Sequence, residues 1–329
     1  MNKMETTNTN NTENMTPKNT KKSKYPISKE FAAISWFTPK LDPRSVRAAQ
    51  KMMGKIPKVL TRDPSLDIRT IMIPGYRGDD IELTLITPIG VRYPAPCLFD
   101  IHGGGFVFEA ASSHYIHAAE YAKGAGCITA FVRYRLGPVY PFPYPQEDSY
   151  AALTWIYEHA SELNIDPKRI GVCGDSAGGT LAVTSCMMAR DRGHAVKPLF
   201  QLLVYPFLDD SGQSDSYRKF TDVPMWNSSL SKQVGPLINP VPEATPLAYR
   251  SPAQADSFAS LPPAYIEVAE FDALHDDGVL YRDLLEAEGI EVEFHETKGT
   301  MHGFDYVTKA PTTGKMVETR IAYMKRMFG

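Results

Sequence analysis

Three features of the 329-residue chain predict an α/β protein with a mostly parallel central sheet flanked by helices. Beyond about residue 95, short apolar runs alternate with helical patterns, the rhythm of parallel strands joined by crossover helices that cover both faces of the sheet. The apolar run 169–173 passes through Gly174-Asp175-Ser176-Ala177-Gly178-Gly179 into the helical stretch 181–189, which reads as strand, sharp turn and helix. An earlier apolar run, 96–101, stops on His102-Gly103-Gly104-Gly105-Phe106.

Taken in order, residues 1–24 are rich in Asn, Thr and Lys, lack the apolar stretch of a secretory signal, and read as a disordered polar tail. From 25 to 60, Phe31, Ile34, Phe37, Val46, Ala49, Met52 and Met53 recur at helical spacing between Pro26, Pro39, Pro43 and Pro57, which predicts short helices. Runs 67–73 and 81–87 flank the turn-forming stretch 74–80 and predict an antiparallel strand pair. Next come a strand at 96–101, a helix at 113–123 and a strand at 127–134. Pro138, Pro141, Pro143 and Pro145 then predict irregular chain until a helix at 147–162. A strand at 169–173, a helix at 176–190 and a strand at 199–205 follow. Residues 206–261 break the rhythm with prolines, polar residues and scattered aromatics, and are too long for a plain connection. The alternation resumes with strands at 264–269 and 292–296 and helices at 277–288 and 315–327. The expected organisation is an α/β core of residues 61–205 and 262–329, with 25–60 and 206–261 outside it.

A net charge of -3 gives no overall basic excess to attract nucleic acid or an anionic surface, and no run approaches the roughly 18 apolar residues of a membrane span. Cys97, Cys127, Cys173 and Cys186 sit in apolar runs without paired or metal-like spacing, as expected of core thiols in a reducing, cytoplasmic setting. The expected partner is a small, neutral or modestly charged molecule, with a homo-oligomer compatible with everything above.

The G-x-S-x-G turn lifts Ser176 out of the sheet as a nucleophile, while Gly174 and Gly178 allow strand and helix to approach closely. Alone it is weak evidence: a serine that caps an ordinary helix looks the same, and chance supplies the pattern in roughly one chain in ten of this length. The run of three glycines is far rarer, and lets backbone N–H groups face a cavity where a developing oxyanion can be held. Gly104 and Gly105 would donate from one side and Ala177 from the other; His102, Gly103 and Asp175 support the two motifs, His102 by hydrogen bonds that shape the loop. A serine nucleophile needs a base oriented by a third group. His302, in the glycine-flanked segment 298–304 after the last core strand, is the candidate base. His114, His117 and His159 fall on predicted helices, His194 in a charged loop and His295 within a strand. For the acid, Asp272 lies just past the carboxyl end of a strand, where catalytic groups collect in open α/β sheets; Glu270 is second choice, and Asp276 and Asp277 read as helix caps. The order Ser176, Asp272, His302 is that of α/β-hydrolases. His114 and His117, three apart on a helix, lack a third ligand for a metal.

The chain resembles the hormone-sensitive lipase branch of the α/β-hydrolases, which includes many microbial carboxylesterases and acetyl esterases. The resemblance runs from about residue 94 to the end and rests on the glycine loop, Tyr134-Arg135-Leu136-Gly137-Pro138, Pro141-Phe142-Pro143, the serine turn, Leu261-Pro262-Pro263, Phe271-Asp272 and His302-Gly303-Phe304. It implies the α/β-hydrolase fold, a Ser176–His302–Asp272 triad, an oxyanion hole at Gly104, Gly105 and Ala177, a helical cap built from the N-terminal helices and the insertion after Tyr205, short acyl substrates and no cofactor. One departure stands out: Gly137-Pro138-Val139 replaces the usual Ala-Pro-Glu, removing a supporting glutamate. The expected function is a serine carboxylesterase. The alternatives are an amidase or deacylase with the same triad and a non-catalytic small-molecule binder. Trp36, Phe37, Met225 and Trp226 either line the substrate pocket or pack within the cap.

Overall fold

A computed structural model describes residues 24–329. The expected polar tail therefore lies outside the described residues apart from Lys24, whose Nζ is 2.9 Å from the Asp222 carboxylate. The chain opens with two short helices, α1 (Pro43–Met52) and α2 (Lys58–Thr61), then β1 (Leu66–Pro74) and β2 (Asp80–Pro88). Next come β3 (Ala95–Ile101), α3 (Ser112–Ala125), β4 (Ile128–Arg133), α4 (Tyr144–Glu158), β5 (Ile165–Asp175), α5 (Ala177–Asp191) and β6 (Gln201–Val204). Short helices α6 (Asp215–Lys219), α7 (Ser228–Ile238) and α8 (Leu247–Arg250) precede β7 (Ala264–Phe271), α9 (His275–Ala287), β8 (Val292–Met301) and α10 (Pro311–Phe328). Among the described residues, no helix is long and apolar enough to cross a membrane.

The eight strands form one sheet in the order β1-β2-β4-β3-β5-β6-β7-β8. The β1–β2 and β2–β4 pairs are antiparallel; every later neighbour is parallel. From β3 the chain steps one way to β4, while β5 begins the march the other way. The crevice at the carboxyl ends of β3 and β5 is thus the switch point at which open α/β sheets bind ligands. The glycine loop leaves the end of β3 and Ser176 the end of β5, so the topology alone delivers both motifs to one place.

β3 is buried at every position. Its alternate side chains serve opposite faces: Cys97, Phe99 and Ile101 join one apolar cluster and Leu98 the other. Asp100 shares the Leu98 side and is 7% exposed. Burial first, and the nearby Asp175 charge second, push its carboxyl up to about 7.

Three expectations are corrected. Helix α4 starts at Tyr144 rather than 147, because Pro145 falls in its first turn, where a missing N–H costs nothing. Strands β5 and β8 run longer than their apolar cores: β5 begins at Ile165, across a register shift opposite 95–97, and β8 continues to Met301. Asp276 and Asp277 do not cap α9, whose N-terminus has no side-chain cap. Asp277 accepts the N–H groups of Leu208 and Asp209, and Asp276 that of Ser216, so both bind the chain that follows β6. Burial drives the Asp277 carboxyl well above its usual range.

The raised Asp100 carboxyl makes stability depend on pH. Between about pH 4 and pH 7 the folded protein keeps a proton that the unfolded chain has lost, so this group makes stability fall as pH rises through that window and level off above it. The span is roughly 4 kcal/mol at most. Asp100→Asn, which mimics the protonated form, should therefore raise the melting temperature relative to wild type at about pH 8 and much less at about pH 4. A melting difference that does not change with pH would refute the assignment.

Candidate active site

The turn between β5 and α5 is strained. Ser176 sits at φ 53°, ψ -119°, a conformation that side chains other than glycine rarely adopt. It persists because glycines on either side allow contacts that no other residue would: a Cβ on Gly174 would strike the Gly178 carbonyl, and one on Gly178 would strike the Ile101 carbonyl at the end of β3. Hydrogen bonds close the turn. The Ser176 N–H donates to Val204 O at 2.9 Å, and its carbonyl accepts the N–H groups of Gly179 and Phe207.

On this turn the Ser176 Oγ lies 2.8 Å from Nε2 of His302. Nδ1 of His302 lies 2.7 Å from Oδ2 of Asp272, whose Oδ1 accepts the Leu274 N–H at 2.9 Å. With Nδ1 donating to the carboxylate, Nε2 is free to accept the serine proton. Asp272 is fully buried, Ser176 and His302 nearly so. The structure thus brings together three side chains from β5, β7 and the turn after β8.

Gly104 and Gly105 have φ values of 112° and 59°, open to glycine without strain. Among the described residues, the N–H groups of Gly104, Gly105 and Ala177 have no protein acceptor. All three residues border the cavities that meet at Ser176. The Gly103 N–H donates to Oδ1 of Asp175 at 2.9 Å, and Oδ2 of Asp175 is 3.2 Å from Nε2 of His114. The Ala111 N–H donates to Nδ1 of His114, which leaves the ring proton on Nε2, facing Asp175. Burial raises the Asp175 pKa, but His114 and the Gly103 N–H outweigh it and hold the carboxylate below its usual range. His102 lies behind the loop, its ring stacked on Tyr134 with centroids 4.5 Å apart and its Nδ1 bonded to Gly103 O. Burial, and the neighbouring His114 after it, lower its pKa to about 3, so it stays neutral.

The other candidates go elsewhere. Glu270 accepts the Gly299 N–H at 2.7 Å and pins the end of β8 three residues before His302. His117 bonds Glu120 and the Asp305 carbonyl, well apart in role from His114; among the described residues no group of three His, Cys, Asp or Glu could hold a metal. His159 stacks on Trp155, and His194, His275 and His295 face nearby carboxylates. Local patterns do not announce Tyr205, whose ring centroid is 4.7 Å from that of His302 and whose hydroxyl donates to Asp305. Asp305 in turn meets Arg320, which makes a bidentate pair with Glu267. Only the closeness of Asp305 to His302 in the chain hints at this network.

Two cavities converge on Ser176. The larger, about 540 Å³, is lined by Trp36, Phe37, Met53, Met225 and Tyr306. The smaller, about 190 Å³, is lined by Phe106, Phe142, Phe207, Val234 and Ile238. Gly105 and Trp226 border both, and a Cβ on Gly105 would press into the Trp226 ring.

Residues 98–306 match the family described by its alpha/beta hydrolase fold. The chain belongs to the α/β-hydrolase family. Relatives of this α/β-hydrolase include esterase LipI of Mycobacterium tuberculosis, 38% identical over 79% of this chain and 81% of that protein. Carboxylesterase NlhH of the same organism is 35% identical over 87% of this chain and 90% of its own length. Among solved structures, a bacterial heroin esterase superposes with a TM-score of 0.83 at 33% identity, covering 92% of this chain and 98% of the other. The hormone-sensitive-lipase-like resemblance read from the motifs holds, and this α/β-hydrolase is a carboxylic ester hydrolase.

The Asp175 bridge makes a prediction for His114, which touches neither cavity. Loss of its ring should loosen Asp175 and, through it, the glycine loop. His114→Ala should lower kcat roughly tenfold, as small misplacements of catalytic groups do, with KM little changed. A folded variant with wild-type kcat would show that the bridge does not position the loop.

Proposed function

We propose that this α/β-hydrolase is a serine carboxylesterase for short-chain acyl esters, with Ser176, His302 and Asp272 as its triad and an acyl-enzyme as its intermediate. The observation that carries the reading is the unbroken hydrogen-bond chain from Ser176 Oγ through His302 to the buried Asp272, beside backbone N–H groups that have no protein acceptor.

In the first half-reaction Ser176 Oγ attacks the ester carbonyl carbon while His302 Nε2 takes its proton. The carbonyl oxygen becomes an alkoxide held by the N–H groups of Gly104, Gly105 and Ala177, and Asp272 steadies the imidazolium. Collapse of that intermediate breaks the bond to the alcohol, which leaves with the proton from His302. In the second half-reaction His302 deprotonates water, the hydroxide attacks the acyl carbon, and the acid departs as Ser176 regains its proton. The smaller cavity, walled by aromatic rings, suits an acyl group of a few carbons, and the larger one suits the alcohol.

Two measurements test this. Ser176→Ala should lower kcat on p-nitrophenyl acetate by roughly 10⁴-fold or more, and turnover near wild type would defeat the proposal. Across p-nitrophenyl acyl esters, kcat/KM should peak at acetyl to butyryl, decline for longer chains, and exceed that of a matched anilide. A maximum at long chains would overturn the short-chain assignment.

A further inference from the structure

The overall charge of -3 conceals a strong asymmetry. Residues 1–62 hold 13 Lys and Arg against four Asp and Glu, whereas residues 63–329 hold 22 against 34. One stretch is therefore at +9 and the remainder at -12. In the described part of that stretch, 24–62, nine basic residues accompany only Glu30 and Asp42. Both of those acids are engaged, Glu30 by the N–H and hydroxyl of Thr312 and Asp42 by the N–H groups of Arg44 and Ser45 at the start of α1. Of the nine cations, Lys24 pairs with Asp222. The other eight are exposed and form no ion pair among the described residues. Arg44, Arg47 and Lys51 share one face of α1, whose opposite face carries the buried Val46 and the half-buried Ala49.

Uncompensated positive charge would suit a nucleic acid, an acidic protein or an anionic lipid surface. The apolar groups among the cations decide between them. Trp36 is 77% exposed, Met52 80%, Val59 67% and Phe37 44%. Met52 ends the last turn of α1, next to Lys51 in the chain, and the Trp36 and Phe37 rings, 6.2 Å apart, line the larger cavity. Cations mixed with exposed aromatic and aliphatic side chains are the composition of a segment that lies in a lipid headgroup layer. The bases meet anionic headgroups while the apolar groups enter the acyl boundary. A nucleic acid could stack on Trp36 but would find no use for Met52 or Val59. The acidic remainder would be repelled by the same surface, turning the cavity mouth toward it.

We propose that residues 24–62 dock this enzyme peripherally on anionic lipid surfaces, with Trp36 and Met52 entering the headgroup layer and the larger cavity facing the membrane. The docking does not depend on the chemistry at Ser176, so Ser176→Ala should bind as wild type does.

Flotation of the full chain with vesicles tests it. Binding should occur with vesicles of phosphatidylcholine and phosphatidylglycerol, not with phosphatidylcholine alone, and should weaken steeply as salt is raised. The triple variant Arg44→Glu, Arg47→Glu, Lys51→Glu should bind at least tenfold more weakly while hydrolysing a soluble acetate ester at the wild-type rate, which also shows that it folds. Tryptophan emission should shift to the blue on addition of anionic vesicles, and Trp36→Phe should abolish the shift, since Trp226 is only 9% exposed and Trp155 lies on α4, stacked on His159 and outside the docking segment. The proposal is overturned if anionic vesicles fail to bind, if the triple variant floats like wild type, if emission does not move, or if a DNA duplex competes the protein off the vesicles at matched charge.

Discussion

The close approach of the β5–α5 turn to the end of β3 is the constraint on which the site depends. Gly178 lies against the Ile101 carbonyl, and Gly174 against the carbonyl of Gly178. Any side chain at either position would push the helix away from the sheet. That separation would carry Ser176 away from the glycine loop, which starts one residue beyond Ile101. Holding a serine at φ 53° costs on the order of 1–3 kcal/mol. The hydrogen bonds of its N–H and carbonyl to β6 and to the chain beyond β6 help to offset that cost. The placing of Ser176 and that of the glycine loop beside it are thus two outcomes of one packing contact.

A second layer fixes His302 relative to Asp272. Arg320 reaches from α10 to Glu267 in β7 and to Asp305 just after His302, all three nearly or fully buried. A buried ion network of this kind adds little net stability over an apolar replacement, because removing the charges from water is expensive. Its effect is geometric. Glu267 lies five residues before Asp272 and Asp305 three after His302, so the network ties together the ends of the two strands that carry Asp272 and His302. Tyr205, bonded to Asp305 and packed on the His302 ring, joins β6 to the same frame.

What could be read from the sequence follows from how far apart the interacting residues lie. The serine turn and the glycine loop are local: their glycines answer to backbone geometry within a few residues, and the strand-helix rhythm supplies their setting. Asp272 and His302 were found by their positions just beyond strands, a fold-level argument, and the structure brings both to Ser176. The parts that the sequence does not display are contacts between distant segments. Nothing near Asp276 or Asp277 indicates that their partners lie at 208, 209 and 216, and a carboxylate at a helix start looks like a cap in sequence. His114 reads as an ordinary helical residue until its link to Asp175, 61 residues away, is visible. The start of α4 is hidden because Pro145, which reads as a breaker, occupies the one turn that tolerates it.

The partition formed by Gly105 and Trp226 has a consequence for how such an enzyme can change. The indole stands between the two cavities, held by its Nε1–H on Ser231 Oγ, and the missing side chain at Gly105 is what lets it lie there. One wall therefore serves two rooms. A smaller residue at 226 would merge them and, in the proposed binding mode, relax selection at both ends of the substrate together, and a larger one at 105 would disturb the glycine loop while it moved the wall. In the proposed binding mode, selectivity for the two halves of an ester is inherited jointly, and separating them requires changes at the outer walls, among the phenylalanines on one side or the N-terminal aromatics on the other.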